Sequence, residues 1–391
     1  MTEEVGSVAI QLLITNRDLV VQGDPLTDWS SLDVTQVFNE PGSGSVDLVA
    51  HAEVMAQLQP GNRMLVIRDG AVWMSGPMEV PQDYSWGIAG DGEPPPGKVT
   101  VNFADDLAVV AGYLTWPAPG SAWSAQPNGS RKITNANAEA AIRQLVDENC
   151  GPGARPDRRI PHFALGPVAG VGTTVSVDTR LERLLDVCRR VATDGGGLGI
   201  RARQVGSQIL FEVYQPVDRT STARFSAGLG NLRSFTFKRS APTVTHALVS
   251  GSEQAFPRPY VEVADTTAAS SWWRVEQLVD SSADSNDGGQ LTQEGRQALA
   301  EGAAPVELST VTVDTEDLRA GRDFGLGDKV TVALPTGLEV RDLVRSIRLQ
   351  ASPESGEQVT SLIGSPDATT DPQMVRIVRE LSRRLGRIEA R

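Results

Sequence analysis

Few residues in this chain have the types and spacing that do chemistry. Its 391 residues include three histidines, His51, His162 and His246, and two cysteines, Cys150 and Cys188. A nucleophilic serine paired with histidine has no local signature here: Gly-x-Ser-x-Gly elbows and His-Glu-x-x-His zinc pairs are both absent. His246 falls in an apolar strand pattern running from Val244 to Val249, which reads as a satisfied structural histidine. Cys150 follows a helical pattern and Cys188 sits on an apolar helix stripe. Both read as small buried residues, and a disulfide between them needs the two helices to pack closely. The glycine clusters Gly195-Gly196-Gly197-Leu198-Gly199 and Gly228-Leu229-Gly230 lack the lysine and the hydroxyl residue of a phosphate loop, so they read as turns. Asp284-Ser285-Asn286-Asp287-Gly288-Gly289 resembles a calcium loop without its terminal glutamate, which leaves a solvated turn. Trp116, Trp123, Trp272 and Trp273 suit a carbohydrate platform less well than loop anchors or a protein interface. The expectation is therefore no catalytic residue, no cofactor and no metal site.

The elements that would position such residues are mostly strands. Val8, Ile10, Leu12 and Ile14 alternate, as do Leu32, Val34, Gln36 and Phe38. The run Asn39-Glu40-Pro41-Gly42-Ser43-Gly44 reads as a break before Val46 and Leu48 resume the alternation. Residues 51–58 form a short helix stopped by Pro60-Gly61-Asn62. Met64–Arg68, Asp69-Gly70 and Ala71–Met74 make a hairpin, because Asp-Gly tolerates the positive φ angles of a two-residue turn. Val99, Val101 and Phe103 follow the loop Pro94-Pro95-Pro96, and this whole region suggests a small barrel or sandwich. Trp116-Pro117-Ala118-Pro119-Gly120 opens an aperiodic loop. Residues 136–149 then place Ala138, Ala141, Ile142, Leu145 and Val146 on one helical stripe. Asp178 is the expected N-cap of a helix carrying Leu181, Leu184, Leu185, Cys188 and Val191. A hairpin turns near Gly206. Beyond Pro216, strands are expected at 235–237, 244–249, 306–313, 329–334, 338–347 and 358–363, with residues 252–304 irregular apart from a helix near Thr292–Ala300.

The last segment differs. Met374, Val378, Leu381, Leu385 and Ile388 are spaced four, three, four, three, a coiled-coil seam over little more than two heptads. So short a coil must be held by an oligomer formed elsewhere or continued by a partner. From Met374 onward there are six arginines and two glutamates in a chain of formal charge −13. That overall charge argues against a wide nucleic-acid-binding face. Apolar runs fall short of a membrane span, and the N-terminus does not read as a signal peptide. With 38 glycines and 24 prolines, the chain has many tight turns.

The order of these segments resembles the tail-hub, or minor tail, proteins of siphophages infecting actinobacteria, relatives of baseplate hubs and tail-associated lysins. The resemblance rests on Trp29 ahead of Phe38–Gly44, on Leu58-x-Pro60-Gly61 leading to Asp69-Gly70 and Ser75-Gly76, and above all on Phe211–Thr220. Phe225-Ser226, Gly230-Asn231-Leu232, Arg274, Glu276, Asp280 and Gly327-Asp328-Lys329-Val330 complete it. An asparagine expected near Thr245-His246 is missing, and Trp273 stands where glycine is common.

The resemblance implies an α+β, mainly β fold: two similar antiparallel β-barrels, an intervening α/β domain, an insertion in the second barrel and a C-terminal coiled-coil helix. The corresponding boundaries are 1–110 for the first barrel and 111–215 for the α/β domain. The second barrel takes 216–250 and 305–366, the insertion 251–304 and the helix 367–391. It implies a non-enzymatic homotrimer at the tail tip of the virion, a pseudo-sixfold ring that forms part of the DNA ejection channel. Expected partners are the distal tail protein, the tail tube and tape-measure proteins, and tip, fibre or receptor-binding proteins. DNA contact would be transient and membrane binding not stable. The oligomer residues are the seam: Met374, Val378, Leu381, Leu385 and Ile388. Acidic charge suits a channel that passes DNA without holding it. The competing readings are a tail-tip glycan or peptidoglycan hydrolase, a carbohydrate-binding adhesin, and the hub of a contractile injection system.

Overall fold

The structure is a computed structural model, and it describes residues 10–79, 83–85, 97–239, 241–251, 258–281, 288–303 and 306–364. Strand residues make up 46% and helical residues 20%, so the class is α+β and mainly β, as expected. The chain forms two compact units. The first holds Met1–Arg233 and Val311–Ile363, and the second is built on Ser234–Thr310.

The first unit opens with β1 (Ile10–Thr15), β2 (Val21–Leu26), β3 (Trp29–Val37), β4 (Glu40–Val49), α1 (Ala52–Gln57), β5 (Arg63–Arg68), β6 (Ala71–Pro77), β7 (Asp83–Ser85) and β8 (Lys98–Ala104). Alternation decides which side chains turn inward. Leu12, Ile14, Leu32, Val34, Val46, Leu48, Met64, Val66, Val99, Val101 and Phe103 are all buried. Asp69 and Gly70 both take positive φ (51° and 75°), so the hairpin between β5 and β6 forms as its sequence dictates. The stretch read as a break is instead a strand. Asn39, at φ 58°, turns a tight hairpin, and Pro41 to Gly44 continue in β4. The reason lies in Phe103. Its ring covers Gly44 so closely that a Cβ there would meet Cζ at 2.2 Å. A glycine usually punctuates a strand, but here it admits a neighbour's ring.

The α/β part follows: α2 (Leu107–Ala111), β9 (Arg131–Asn137), α3 (Ala138–Asn149), β10 (Phe163–Leu165), β11 (Thr174–Thr179), α4 (Leu184–Asp194), β12 (Gly199–Val205) and β13 (Gln208–Tyr214). The stripe of α3 is buried as its spacing demands, and Asn137 caps it by accepting from the Ala140 N–H at 3.2 Å. Together α2, α3 and α4 share one core with the sheet β10-β13-β12 and the pair β11-β9. Asp178 does not cap a helix. It lies in β11, where Val175 and Val177 are buried at a period of two and pair with β9. That strand alternation overrides the helix-start signal, and α4 begins only at Leu184, after Leu181 at φ 55°.

After β14 (Arg224–Ser226), β15 (Leu232–Arg239) carries the chain into the second unit. There β16 (His246–Ser250) is the middle strand between β17 (Tyr260–Ala264), antiparallel to it, and β18 (Glu276–Asp280), parallel to it. Two helices, α5 (Thr266–Ser271) and α6 (Gly288–Gly302), belong to the same unit. Leu291 of α6 is fully buried, and Gly295 lets Val263 approach so closely that a Cβ would lie 2.5 Å from it. The region read as irregular is thus a small mixed sheet with a helix packed on one face. Its strands are only five residues long, too short to show a clear period. The calcium-like stretch lies outside the described residues up to Asp287, and Gly288 and Gly289 open α6.

β19 (Val306–Val313) returns the chain to the first unit, where β20 (Lys329–Ala333), β21 (Glu339–Ser352) and β22 (Gly356–Gly364) end the described chain. The long β21 pairs with β20 at its start and β22 along its later half. Along the edge away from β22 it pairs antiparallel with β3, Ala351 opposite Leu32 through Ser346 opposite Val37. One sheet therefore runs β22-β21-β3-β4-β8-β7, while β2-β1-β5-β6 forms another. The bridge between Met78 and Phe103 links the two sheets on one side. Among the described residues no strand array closes into a barrel, unlike the two closed barrels expected.

Candidate functional site

The seam residues Met374, Val378, Leu381, Leu385 and Ile388 lie outside the described residues. The three histidines lie apart, two of them partly exposed. His51 faces Asp28 and His162 faces Asp18, each at 3.4 Å. His246 is buried, with Nδ1 3.0 Å from the Thr245 hydroxyl. Cys150 and Cys188 are free and buried; burial pushes the Cys150 thiol up to about 12 and Cys188 up as well, so both stay protonated and unreactive. Among the described residues no group of three or more His, Cys, Asp or Glu side chains could hold a metal ion. Trp116 and Trp123 stack at 5.4 Å, with the Arg158 guanidinium 4.0 Å above Trp116. The Gln126 side chain holds their loop by bonding Ala118 on both its N–H and its carbonyl. Trp116 is half-buried in this loop, while Trp123 is exposed.

Among the described residues, the first unit carries a cleft of about 700 Å³. The β5–β6 hairpin, β12, the segment after β13 and the loop 319–328 contribute to its walls. Six arginines line it: Arg68, Arg201, Arg203, Arg219, Arg319 and Arg322. The lining acids are fewer: Glu40, Asp69, Asp105 and Asp328. An acidic chain has thus gathered cations at one place.

Two buried ionic networks fix these walls. In the first, Asp106, completely buried, receives Arg63 Nη2 at 2.5 Å and the Ser75 hydroxyl at 2.6 Å. Arg63 Nη1 also donates to Gln204 Oε1 at 2.9 Å. This ties β5 and β6 to the start of α2 and to β12. In the second, Arg68 is buried against Glu357 at 2.5 Å and Asp314 at 3.6 Å, with the Trp73 ring 4.7 Å away. Arg68 is therefore part of the floor, already neutralised. The Trp73 indole N–H is buried with no acceptor.

The remaining arginines are less fully matched. Arg201 and Arg203 share a single carboxylate oxygen, Oε2 of Glu212, at 2.8 and 3.0 Å. Arg219 pairs with Asp328 at 2.8 Å and Arg322 with Asp323 at 2.8 Å. Among the described residues the Arg319 side chain has no hydrogen bond or ion pair. Tyr214 stands beneath Arg201, its ring 5.1 Å from the guanidinium, and donates to the Leu326 carbonyl at 3.1 Å. Burial pushes the Tyr214 hydroxyl up to about 12.

Asp105 is the odd acid. Its two oxygens accept from the Gly42 N–H at 2.8 Å and the Leu107 N–H at 3.0 Å, yet burial and the neighbouring Asp106 carboxylate raise it to about 7. Burial pushes the Asp106 carboxyl up as well, with Arg63 and the Ser75 hydroxyl acting against it, whereas Asp105 has no cationic partner. Sequence reasoning missed Asp105, Asp106 and the arginines. The available signal was Arg63 and Arg68 bounding an apolar strand, since arginines buried at strand ends need partners.

Several solved structures share this fold. One is the 43 kDa tail protein of prophage MuSo2 from Shewanella oneidensis, with 10% identity and a TM-score of 0.58 over 92% of this chain and 99% of that one. A tail protein from Neisseria meningitidis MC58 has 13% identity and a TM-score of 0.57 over 92% and 98%. Prophage tail protein gp18 from Listeria monocytogenes EGD-e has 10% identity and a TM-score of 0.50 over 96% and 99%. At such identities the likeness is one of fold. No curated protein matches the chain. The family model for Siphovirus ReqiPepy6 Gp37-like protein matches residues 11–365, nearly the whole chain, and the chain belongs to that family.

Proposed function

We propose that the chain is the structural hub of a siphophage tail, a non-enzymatic homotrimer at the tail tip. The observation that carries this reading is the extent of the likeness. The family match runs from residue 11 to 365, and the fold likeness takes in 92% of this chain and 99% of a prophage tail protein. The place of action is the virion tail.

In this reading the β-rich region 1–110 and the second one, 216–250 with 305–366, are the two hub barrels in opened form. The α/β domain 111–215 lies between them in sequence, 251–304 is the insertion, and 367–391 is the coiled-coil helix. Three chains bring six β bodies to a pseudo-sixfold ring. Such a ring matches a sixfold tail tube and distal tail protein on one side and threefold tip or fibre proteins on the other. Closed rotational symmetry uses up every heterologous interface and leaves no sticky edge. The central opening forms part of the ejection channel.

The test is symmetry. Images of tail tips, with the ring located by a tag on this chain, are expected to show three copies around an open centre. One or two copies per tail, or a ring without a central opening, refutes the hub. Turnover of cell-wall or capsule glycans by the purified full chain refutes the non-enzymatic part.

A further inference from the structure

The sequence contains one Asn-Gly pair, Asn128-Gly129, in the segment between the Trp116–Trp123 loop and β9. Both residues are exposed. The segment is fastened on either side of the pair. Upstream, the Gln126 side chain bonds both the N–H and the carbonyl of Ala118, each at 2.9 Å. Downstream, Arg131 makes two bonds of 2.8 Å to the Glu148 carboxylate. Between those anchors, among the described residues, neither the Asn128 side chain nor the Gly129 N–H has a hydrogen-bond partner. A Cβ built on Gly129 would meet nothing within 4 Å, so the space beside it is open.

Other asparagines of the first unit are held. Asn39 donates to the Leu198 carbonyl at 2.9 Å and accepts from the Ile200 N–H at 2.7 Å. Asn62 is buried, its amide on the Gln57 carbonyl at 2.8 Å. Asn149 is completely buried between the Leu145 carbonyl and the Trp116 N–H. The residues that follow them, Glu40, Arg63 and Cys150, all carry a Cβ, which crowds the approach of their backbone nitrogens to the preceding side chain. Glycine removes that crowding and leaves the backbone free to turn. An unbonded, exposed amide followed by an unbonded glycine N–H therefore occurs at Asn128 and at none of these three.

We propose that Asn128 is a site of spontaneous deamidation, with water as the co-reactant. Hydroxide takes the Gly129 N–H proton, and the backbone nitrogen attacks Cγ of Asn128. The N–Cγ bond forms, the Cγ–Nδ2 bond breaks, and Nδ2 takes a proton from water and leaves as ammonia, which regenerates the hydroxide. One water molecule then opens the five-membered imide at either carbonyl, giving aspartate or isoaspartate. Nothing is oxidised or reduced. Ser130 also completes an Asn-Gly-Ser glycan-acceptor pattern, but that use needs a transferase, whereas the imide needs only water. The product adds a negative charge, and isoaspartate also lengthens the main chain by a methylene between the Gln126 and Arg131 anchors. A protein built into a virion tail is not renewed, so the altered form accumulates as particles age. This inference does not depend on the hub reading.

The test incubates the folded full chain in buffers from pH 6 to pH 9 made with oxygen-18 water, and maps its peptides by mass spectrometry with fragmentation that separates aspartate from isoaspartate. The expected result is loss of the Asn128 amide with uptake of heavy oxygen, a mixture containing isoaspartate, and a rate that rises with hydroxide. Gly129→Val puts a branched side chain beside the attacking nitrogen and is expected to slow the loss at least tenfold. Thermal melts of Gly129→Val and wild type are expected to coincide, since the position is exposed and touches nothing. Asn62 and Asn149 in the same digests are expected to keep their amides. Aspartate without isoaspartate at position 128 overturns the imide route. So does an unchanged rate in Gly129→Val, or loss at Asn62 or Asn149 as fast as at Asn128. An amide that persists through the incubation, or a glycan found on Asn128 in its place, overturns the assignment altogether.

Discussion

Removing the Asp106 carboxylate tests how the first unit is held together. Asp106 is 0% exposed and Arg63 5% exposed, so neither charge has water to fall back on. The substitution Asp106→Ala leaves Arg63 with one side-chain partner, Gln204, while its Nε already lacks one. It also removes the acceptor of the Ser75 hydroxyl. Breaking a buried pair from one side costs about 3–5 kcal/mol, mostly because the surviving charge stays buried and uncompensated. Removing both charges avoids that penalty. Arg63→Met with Asp106→Leu replaces the pair by apolar side chains of similar size and is expected to lose less than half as much. Urea unfolding followed by tryptophan fluorescence reads the difference, with the slope of the transition unchanged if only stability has moved. The transition of interest is that of the first unit, since two units need not unfold together. A loss under about 1 kcal/mol in Asp106→Ala, or a double variant as damaged as the single one, refutes the claim that the pair locks β5 and β6 to α2 and β12.

Three further outcomes are expected. The Asp105 carboxyl titrates near 7 in the folded chain against an ordinary 3.8, so the folded state binds the extra proton between those values. Its contribution to stability therefore grows as pH falls from about 8 towards 4 and is lost as pH rises through 7, on the order of 2–4 kcal/mol at 1.36 kcal/mol per pH unit. Asp105→Asn flattens this dependence; a difference in urea midpoint between wild type and variant that is constant from pH 5 to 8 sinks the idea. Gly44→Ala places a Cβ against the Phe103 ring and is expected to cost about 1–3 kcal/mol, partly rescued by Phe103→Leu, as thermal melts would show. If the chain forms the proposed trimer, Leu381→Asp with Leu385→Asp is expected to lower its fraction in light scattering while circular dichroism stays at the wild-type level; an unchanged trimer removes the seam from the interface.

What the sequence reveals depends on how local the cause is. The Asp69-Gly70 hairpin and the α3 stripe are legible because their determinants lie within a dozen residues. Asp178 misleads because it satisfies a helix-start rule, while Val175 and Val177 commit the same stretch to a strand. Asn39 to Gly44 mislead for the opposite reason: glycine and proline usually end a strand, and only the Phe103 ring, sixty positions on, explains Gly44. The candidate site was not legible. Its arginines come from segments near 68, 201, 219 and 319, and no spacing joins them. Asp105 and Asp106 are chemically identical neighbours, both raised by burial, yet only Asp106 meets Arg63 and the Ser75 hydroxyl, partners that no local spacing announces.

The pairing of β3 with β21 bears on the hub reading more directly than any one residue. A ring of three chains imitates six positions only if the two β bodies within a chain keep a fixed relation to each other. A flexible linker would leave that relation free, and ordering it on assembly would cost conformational entropy. Here β21 pairs with β20 and β22, and along the edge away from β22 it is bonded to β3. Six successive residue pairs make that ladder, and Arg348 reaches across it to Asp33. That edge of β3 is thus spent on fastening it to β21. Among the described residues β2 has one unpaired edge, a strand that in an assembly invites pairing with a neighbour. Hydrogen exchange resolves this: slow exchange across residues 32–37 and 346–351 is expected in the free chain, with protection of 21–26 rising only on assembly. Fast exchange in the β3–β21 ladder would mean that the two bodies are loosely joined, and a chain of that kind could not set the geometry of a ring.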